Sequence, residues 1–306
     1  MKKVIVTGAS GLIGRASLQP LLNYGLEVHA VSSKDPNFYL GLSKNECVWH
    51  QVNVLDLEKI KGSIKTVSPT HLLHLAWYGQ KNRLVSEENF RWTQATIELL
   101  KQFKNHGGQR VVIAGSCAEY DWNYGYCSEY LTPRKPSTHY GVCKNALQEM
   151  LRSYSSTTGL SSAWGRVFFC YGPYEHQDRL VSSIICSLLQ KKQALCSHGN
   201  QIRDFLYVQD VANALVSLLV SNVTGPVNIG SGQPIAVREI IDKIGIKIGR
   251  ADLIKLGAIE SSQNEYPFLI ANIERLSNEV GWSRIYSLEE GLDLTIKHWK
   301  DVLNNQ

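Results

Sequence analysis

The stretch VIVTGASGLIG at residues 4–14 restricts the fold more than any other part of the chain. A short β-branched run leads into Gly8, and Gly11 and Gly14 follow where apolar helical spacing begins. Glycines at a strand-to-helix junction permit a tight turn and a close approach of the backbone to a pyrophosphate. The helix N-terminus then favours its negative charge. The spacing is G-x-x-G-x-x-G rather than G-x-G-x-x-G, so the strand before it and the helix after it carry the assignment to a dinucleotide site.

The first half of the chain continues in that style. Strands are expected at 3–7, 27–32, 47–54, 70–76 and 110–115, with helices at 12–24, 56–67, 83–106 and 138–157. Alternation of this kind predicts βαβ units and a parallel sheet covered on both faces. After about 165 the pattern is less regular, with strands near 163–169, 201–207 and 226–229. Helices are expected near 179–190, 208–221, 236–248, 272–280 and 287–303. The predicted fold is α/β: a Rossmann-type doubly wound parallel sheet with a smaller C-terminal substrate-binding lobe. Residues 1–165 form the nucleotide-binding part and also receive segments near 204–229, whereas 166–306 form most of the lobe.

The end of the second strand bears on the cofactor. An acid there would bond the ribose hydroxyls of NAD, whereas a 2′-phosphate needs a neutral or basic site. The sequence reads VHAVSSKD, which puts Ser32 at the position of the acid and Ser33 and Lys34 after it as phosphate donors. NADP(H) is the expected cofactor, although Asp35 lies close enough to return to the ribose.

Further on, STHYGVCK at 137–144 places Tyr140 and Lys144 four residues apart, on one helix face. An ammonium beside a phenol favours phenolate and prepares the tyrosine for proton transfer. The pattern is short, and its context decides its meaning.

Composition excludes several classes. With 43% hydrophobic and 19% charged residues the chain is globular rather than disordered. The net charge of +5 is mild and the basic residues are scattered, which argues against nucleic-acid binding and suits an anionic small molecule. Seven cysteines lack any Cys-x-x-Cys spacing, so neither a disulfide framework nor a zinc site is expected. Reduced thiols, a short apolar start and the lack of a spanning run predict a cytoplasmic protein without membrane association. His71 and His74, three apart on a strand, point to opposite faces and cannot share a metal; no metal is expected, and His74 is read as facing the cofactor.

Taken together, the glycine loop, Tyr140 and Lys144 resemble the extended short-chain dehydrogenase/reductases of the NAD-dependent epimerase/dehydratase type. Further matches are Asp56, "HLA" at 74–76, Asn89, "YGP" at 171–173 and above all QIRDFLYVQDVANAL at 201–215. The resemblance implies a cofactor site made of Gly8, Ser10, Gly11, Leu12, Ile13, Gly14, Ser32, Ser33, Lys34, Asp56, Leu57, Leu75, Ala76, Asn89, Tyr140 and Lys144. It also implies a catalytic set of Ser116, Tyr140 and Lys144. Cys117, Phe169, Arg179, Arg203 and Glu260 would meet the substrate, the arginines against a diphosphate.

Dehydratases of this group carry an acid two positions before the tyrosine of "GSCAEY", where this chain has Ala118. Glu119, one place late on an extended strand, would face the other way. The segment 256–282 is similar to that of the CDP-abequose synthase-like 4-ketoreductases. The implied activity is therefore NADPH-dependent C4 reduction of a CDP- or dTDP-linked 4-keto-6-deoxyhexose for surface polysaccharide. A C4 epimerase that retains NAD and a non-catalytic NADP-binding regulator are the alternatives. The aromatic residues Trp122, Tyr124, Tyr126 and Tyr130 would either stack on the substrate or pack their own loop. Helices 83–106 and 138–157 correspond to the homodimer interface of that family.

Overall fold

A computed structural model describes residues 2–35, 46–260 and 265–305. In the first half, β1 (Lys3–Thr7), β2 (Glu27–Ser32), β3 (Cys47–Gln51), β4 (His71–His74) and β5 (Arg110–Ser116) alternate with helices. Those helices are α1 (Leu12–Asn23), α2 (Leu57–Val67), α3 (Glu88–Asn105) and α4 (His139–Thr158). The shorter strands that follow are β6 (Tyr126–Cys127), β7 (Ser161–Val167), β8 (Phe169–Tyr171), β9 (Ala194–Leu195) and β10 (Ile202–Arg203). Then come β11 (Phe205–Tyr207), β12 (Gly225–Ile229), β13 (Ile235–Ala236), β14 (Ile254–Lys255) and β15 (Phe268–Ala271). The later helices are α5 (Leu180–Leu189), α6 (Val208–Val220), α7 (Val237–Ile248) and α8 (Leu288–Asn304).

Seven strands form one parallel sheet in the order β12-β7-β5-β4-β1-β2-β3. Continuous apolar runs such as Val4-Ile5-Val6 and Val111-Val112-Ile113 are fully buried, as strands covered on both faces must be. Apolar residues of α1 and α6 cover one face, and those of α2, α3 and α4 the other. Strand order reverses between β1 and β4, which opens a crevice beyond their carboxyl ends. The expected boundary at 165/166 falls within β7, and the chain returns to the large sheet through α6 and β12.

The C-terminal part packs α5, α7 and α8 around their own apolar core. Its largest sheet runs β13-β10-β15-β6, so the first half lends it a strand.

Three expected elements change. The strand at 201–207 divides at Asp204 into β10 and β11, which belong to different sheets. The buried Asp204 carboxylate accepts from the amides of Ser231, Gly232 and Ala271 at 2.6, 2.9 and 3.1 Å, and from the Ser231 hydroxyl at 2.7 Å. The expected helix 272–280 is a five-residue π-turn, Arg275–Glu279, closed by the bidentate Arg275–Glu279 pair. Helix 83–106 begins only at Glu88, because Asn89 folds the preceding residues back on themselves.

Candidate active site

The glycine loop lies on the crevice. Gly8 has φ +70°, and a Cβ there would lie 2.8 Å from the Ala76 amide nitrogen; a Cβ on Gly14 would lie 2.1 Å from the Gly8 carbonyl oxygen. These two glycines close the turn against β4 and onto α1. Gly11 has an ordinary φ of −75°, is exposed, and would crowd only the Gly8 oxygen, at 3.1 Å. Its missing side chain leaves the outer side of the turn bare. The first turn of α1 holds no acid and no side-chain cap, so among the described residues no capping side chain takes up its amides. Leu12 and Ile13 turn their side chains to the C-terminal core, and Ser10 accepts the Arg15 guanidinium on its carbonyl at 2.9 Å. A pyrophosphate fits this cradle.

Ser32 ends β2 with a buried hydroxyl that accepts from the Lys34 amide at 3.0 Å, while Ser33 and Lys34 are exposed beyond it. Asp56 caps α2, accepting from the Lys59 amide at 3.2 Å, and Leu57 opens that helix. Leu75 and Ala76 bond to Thr7 through their amides, which keeps the end of β4 against the glycine loop. His74 does not face the cofactor crevice as expected. It is buried between Thr7 Oγ1 at 2.7 Å and Thr96 Oγ1 at 3.0 Å, and burial beside Lys144 pushes its pKa down to about 3. His71 lies apart on Thr70, in keeping with opposite faces.

Asn89 spends its amide on the protein. It accepts from Trp77 Nε1 at 2.9 Å and donates to the carbonyls of Arg83 and Ser86, both at 2.7 Å. This pins the 77–87 loop over the site, where the Leu84 carbonyl accepts from the Tyr140 amide at 3.1 Å. Arg83 thereby lies beside Tyr140, Cys117 and Arg179, half-buried, and its own burial, with the neighbouring Arg179 charge, lowers its pKa. Sequence reasoning missed Arg83, because residue 83 was expected as the first residue of a helix.

The catalytic candidates converge at the end of β5. Thr138 caps α4 by accepting from the Gly141 amide at 3.1 Å. A Cβ on Gly141 would lie 2.3 Å from the Ala118 carbonyl oxygen, so this glycine lets the first turn of α4 press onto the turn after Ser116. Tyr140 consequently comes within hydrogen-bonding reach of Ser116, and Lys144 reaches the Ala114 carbonyl of β5.

Their charge states differ from the expected pattern. Burial pushes the Tyr140 phenol up to about 12, with hydrogen bonding to Ser116 and the Arg83 charge opposing. Lys144 does not pair with the phenol. Its ammonium donates to the Ala114 carbonyl at 2.8 Å and stands 3.7 Å from the Trp77 ring centroid, against 6.0 Å for the Tyr140 ring. Burial drives its pKa down to about 7.

Glu119 also departs from expectation. Cys117–Glu119 is a turn rather than extended strand. The Glu119 carboxylate is directed inward, accepting from the Ser116 amide at 2.7 Å, from Trp164 Nε1 at 2.9 Å and from Arg166 Nε at 2.7 Å. It is turned from the substrate side for a reason other than strand alternation.

Toward the C-terminal lobe, Arg203 is buried with its guanidinium 5.6 Å from the Phe169 ring centroid and 3.8 Å from the Glu265 carboxylate. Trp122 donates to the Cys117 carbonyl at 2.7 Å and meets Tyr266 edge-on, with centroids 5.5 Å apart. Tyr124, Tyr126 and Tyr130 are exposed. Of the aromatic loop, Trp122 alone stands at Cys117. Arg179 is the exposed residue ahead of α5, and Glu260 is exposed as well. Cys143 is a buried helix residue, 3.8 Å from His139. Among the described residues no cluster of metal-ligating side chains occurs, and no helix is long and apolar enough to cross a membrane.

The likeness to known proteins agrees with this geometry. Residues 4–230 match the model of the "NAD dependent epimerase/dehydratase family". UDP-glucuronic acid decarboxylase 1 of Xenopus tropicalis is 27% identical over 326 residues, spanning 100% of this chain and 74% of that protein. CDP-abequose synthase of Salmonella typhimurium is 25% identical over 305 residues, spanning 96% of this chain and 97% of the other. The structure of Thermus thermophilus UDP-glucose 4-epimerase in complex with NAD has the same fold. Its TM-score is 0.82 at 23% identity, over 97% of this chain and 99% of that one.

Proposed function

Because the chain belongs to the NAD-dependent epimerase/dehydratase family, whose members here act on nucleotide sugars, we propose that it is a nucleotide-sugar 4-ketoreductase. Its reaction is NADPH-dependent reduction of the C4 ketone of a CDP- or dTDP-linked 4-keto-6-deoxyhexose, in deoxysugar synthesis for surface polysaccharide. The observation that carries this reading is the Glu119 carboxylate beside Ser116, bonded on both oxygens and withdrawn from the cleft. Next to it stands the Tyr140 phenol, which burial pushes up to about 12. Such a site donates a proton to a ketone oxygen and offers no carboxylate in the place where dehydration needs one.

NADPH fits the glycine cradle and the Ser32–Lys34 turn, and when bound it supplies hydride. Ser116 would orient the carbonyl oxygen and Tyr140 would deliver the proton to it. Lys144, seated on Ala114, would hold the nicotinamide ribose and replenish the proton. Arg203 and Arg179, with Arg83 between the latter and Tyr140, would balance the substrate's diphosphate. Phe169 and Trp122 would bound the sugar. Arg203 would exchange its long contact with Glu265 for the phosphate oxygens.

The second reading is an epimerase that keeps NAD bound, and Asp35, in the turn after β2, favours it. Incubation with CDP-, dTDP- and GDP-4-keto-6-deoxyhexoses separates the two. A reductase consumes NADPH in equal amount to the sugar reduced, as NMR of the product would record, whereas an epimerase shows no net cofactor turnover. We also propose a cytoplasmic homodimer joined through α3 and α4, which expose Phe90, Val142 and Met150.

A further inference from the structure

Beneath the end of β5 lies an ion pair from which water is wholly excluded. Arg166 Nε donates to Glu119 Oε2 at 2.7 Å, and neither side chain has any exposed surface. Such a pair contributes little to stability, because desolvation offsets its attraction and apolar residues of similar volume serve as well. Its surroundings point to another use. Glu119 Oε1 accepts from the Ser116 amide at 2.7 Å, and both oxygens accept from Trp164 Nε1, at 2.9 and 3.1 Å. The same Trp164 ring stands 5.9 Å from the Lys144 ammonium. Carboxylate and ammonium thus share one indole. Donation of its N–H to an anion makes the ring richer in electrons and a better partner for a cation. Arg166 extends the network to the Tyr120 hydroxyl at 3.0 Å and to Gln148, one turn beyond Lys144 on α4, at 3.4 Å.

We propose that Glu119 is a positioning residue of the proton-transfer centre: it fixes the Ser116 main chain and, through Trp164 and its own charge, retains the proton on Lys144. The importance of that proton rests on the reductase reading. The groups around Lys144 leave this task to Glu119. His74 faces it from β4 but is neutral, and the Tyr140 phenol on its own helix keeps its proton. Trp77 meets it from the 77–87 loop through its ring, and Arg83 from that loop bears on Tyr140. Burial works against the ammonium, and the Glu119 carboxylate is the charge that opposes burial.

The test needs no sugar substrate. The full chain labelled in its lysine 13Cε and 15Nζ atoms is titrated by NMR, with the Lys144 signal assigned by its loss in Lys144→Met. Glu119→Gln is compared with wild type, with folding checked by circular dichroism. Because this change strands the Arg166 cation, the double variant Glu119→Gln/Arg166→Met, which removes both charges of the pair, is run beside it. The expected result is a Lys144 midpoint lower by roughly one pH unit or more in the variants. A folded variant whose Lys144 titrates at the wild-type midpoint would overturn the proposal. If no 4-keto sugar consumes NADPH, the reductase reading fails while this titration still gives its answer.

Discussion

At the residue scale, the centre depends on two side chains held away from their ordinary ionisation. Tyr140 is a stronger proton holder than a free phenol, and Lys144 a weaker one than a free amine. Tyr140→Phe should therefore abolish reduction while leaving NADPH affinity within about a factor of two, as fluorescence titration of the cofactor would measure. Lys144 has a consequence for stability. Its folded pKa of about 7 lies below the ordinary 10.5, so between these values the unfolded chain binds the extra proton. The penalty on folding is full below pH 7 and vanishes above about 10.5. Lys144→Met is expected to be inactive yet to melt higher than wild type at pH 7, by roughly 2–4 °C per kcal/mol regained. That difference should close as the pH is raised toward 10.5.

At the element scale, small residues decide how closely the parts meet. Gly141→Ala places a methyl group 2.3 Å from the Ala118 carbonyl oxygen, a backbone atom that cannot move alone. The gain in helix propensity is at most about 1 kcal/mol, whereas displacing Tyr140 from Ser116 should cost on the order of 10²-fold in kcat. Steady-state kinetics on the variant would check it. The strand-turn-helix of residues 3–14 was fully legible, because its periods and glycines are local signals. The Tyr140–Lys144 spacing on one face of α4 was legible in the same way, whereas its pairing with Ser116 came from the family resemblance. The function of Asp204 was not legible, since "QIRDF" advertises an arginine for phosphate while its neighbour is a staple between sheets. Nothing local in the sequence tells an acid that will bond the amides of Ser231, Gly232 and Ala271, far along the chain. Asp204→Ala leaves those amides buried without acceptors, for an expected loss of at least about 3 kcal/mol in urea unfolding. The charge states of Tyr140 and Lys144 were equally hidden, because burial, which sets both, depends on the packing of Trp77 and Trp164 around them.

On the scale of the whole molecule, buried histidines set the acid limit. His71 and His74 have pKa values lowered to about 4 and about 3 from 6.5, so they fold neutral. Their share of stability is complete above 6.5 and lost as the pH falls from there toward 4 and 3, where the unfolded chain takes up protons first. His74→Gln should flatten the dependence of unfolding free energy on pH over that window by up to one proton. The exposed apolar side chains of α3 and α4 predict that Met150→Glu converts the proposed dimer to a monomer in light scattering. The bond from the Tyr140 amide to the Leu84 carbonyl carries a last consequence. The 77–87 loop, which lies over the site, is fastened to the backbone of the proposed proton donor. On the proposed function, changes to that loop should therefore move selectivity and turnover together. A library that varies residues 78–86 to admit a new sugar should return variants whose catalytic rate changes along with their preference.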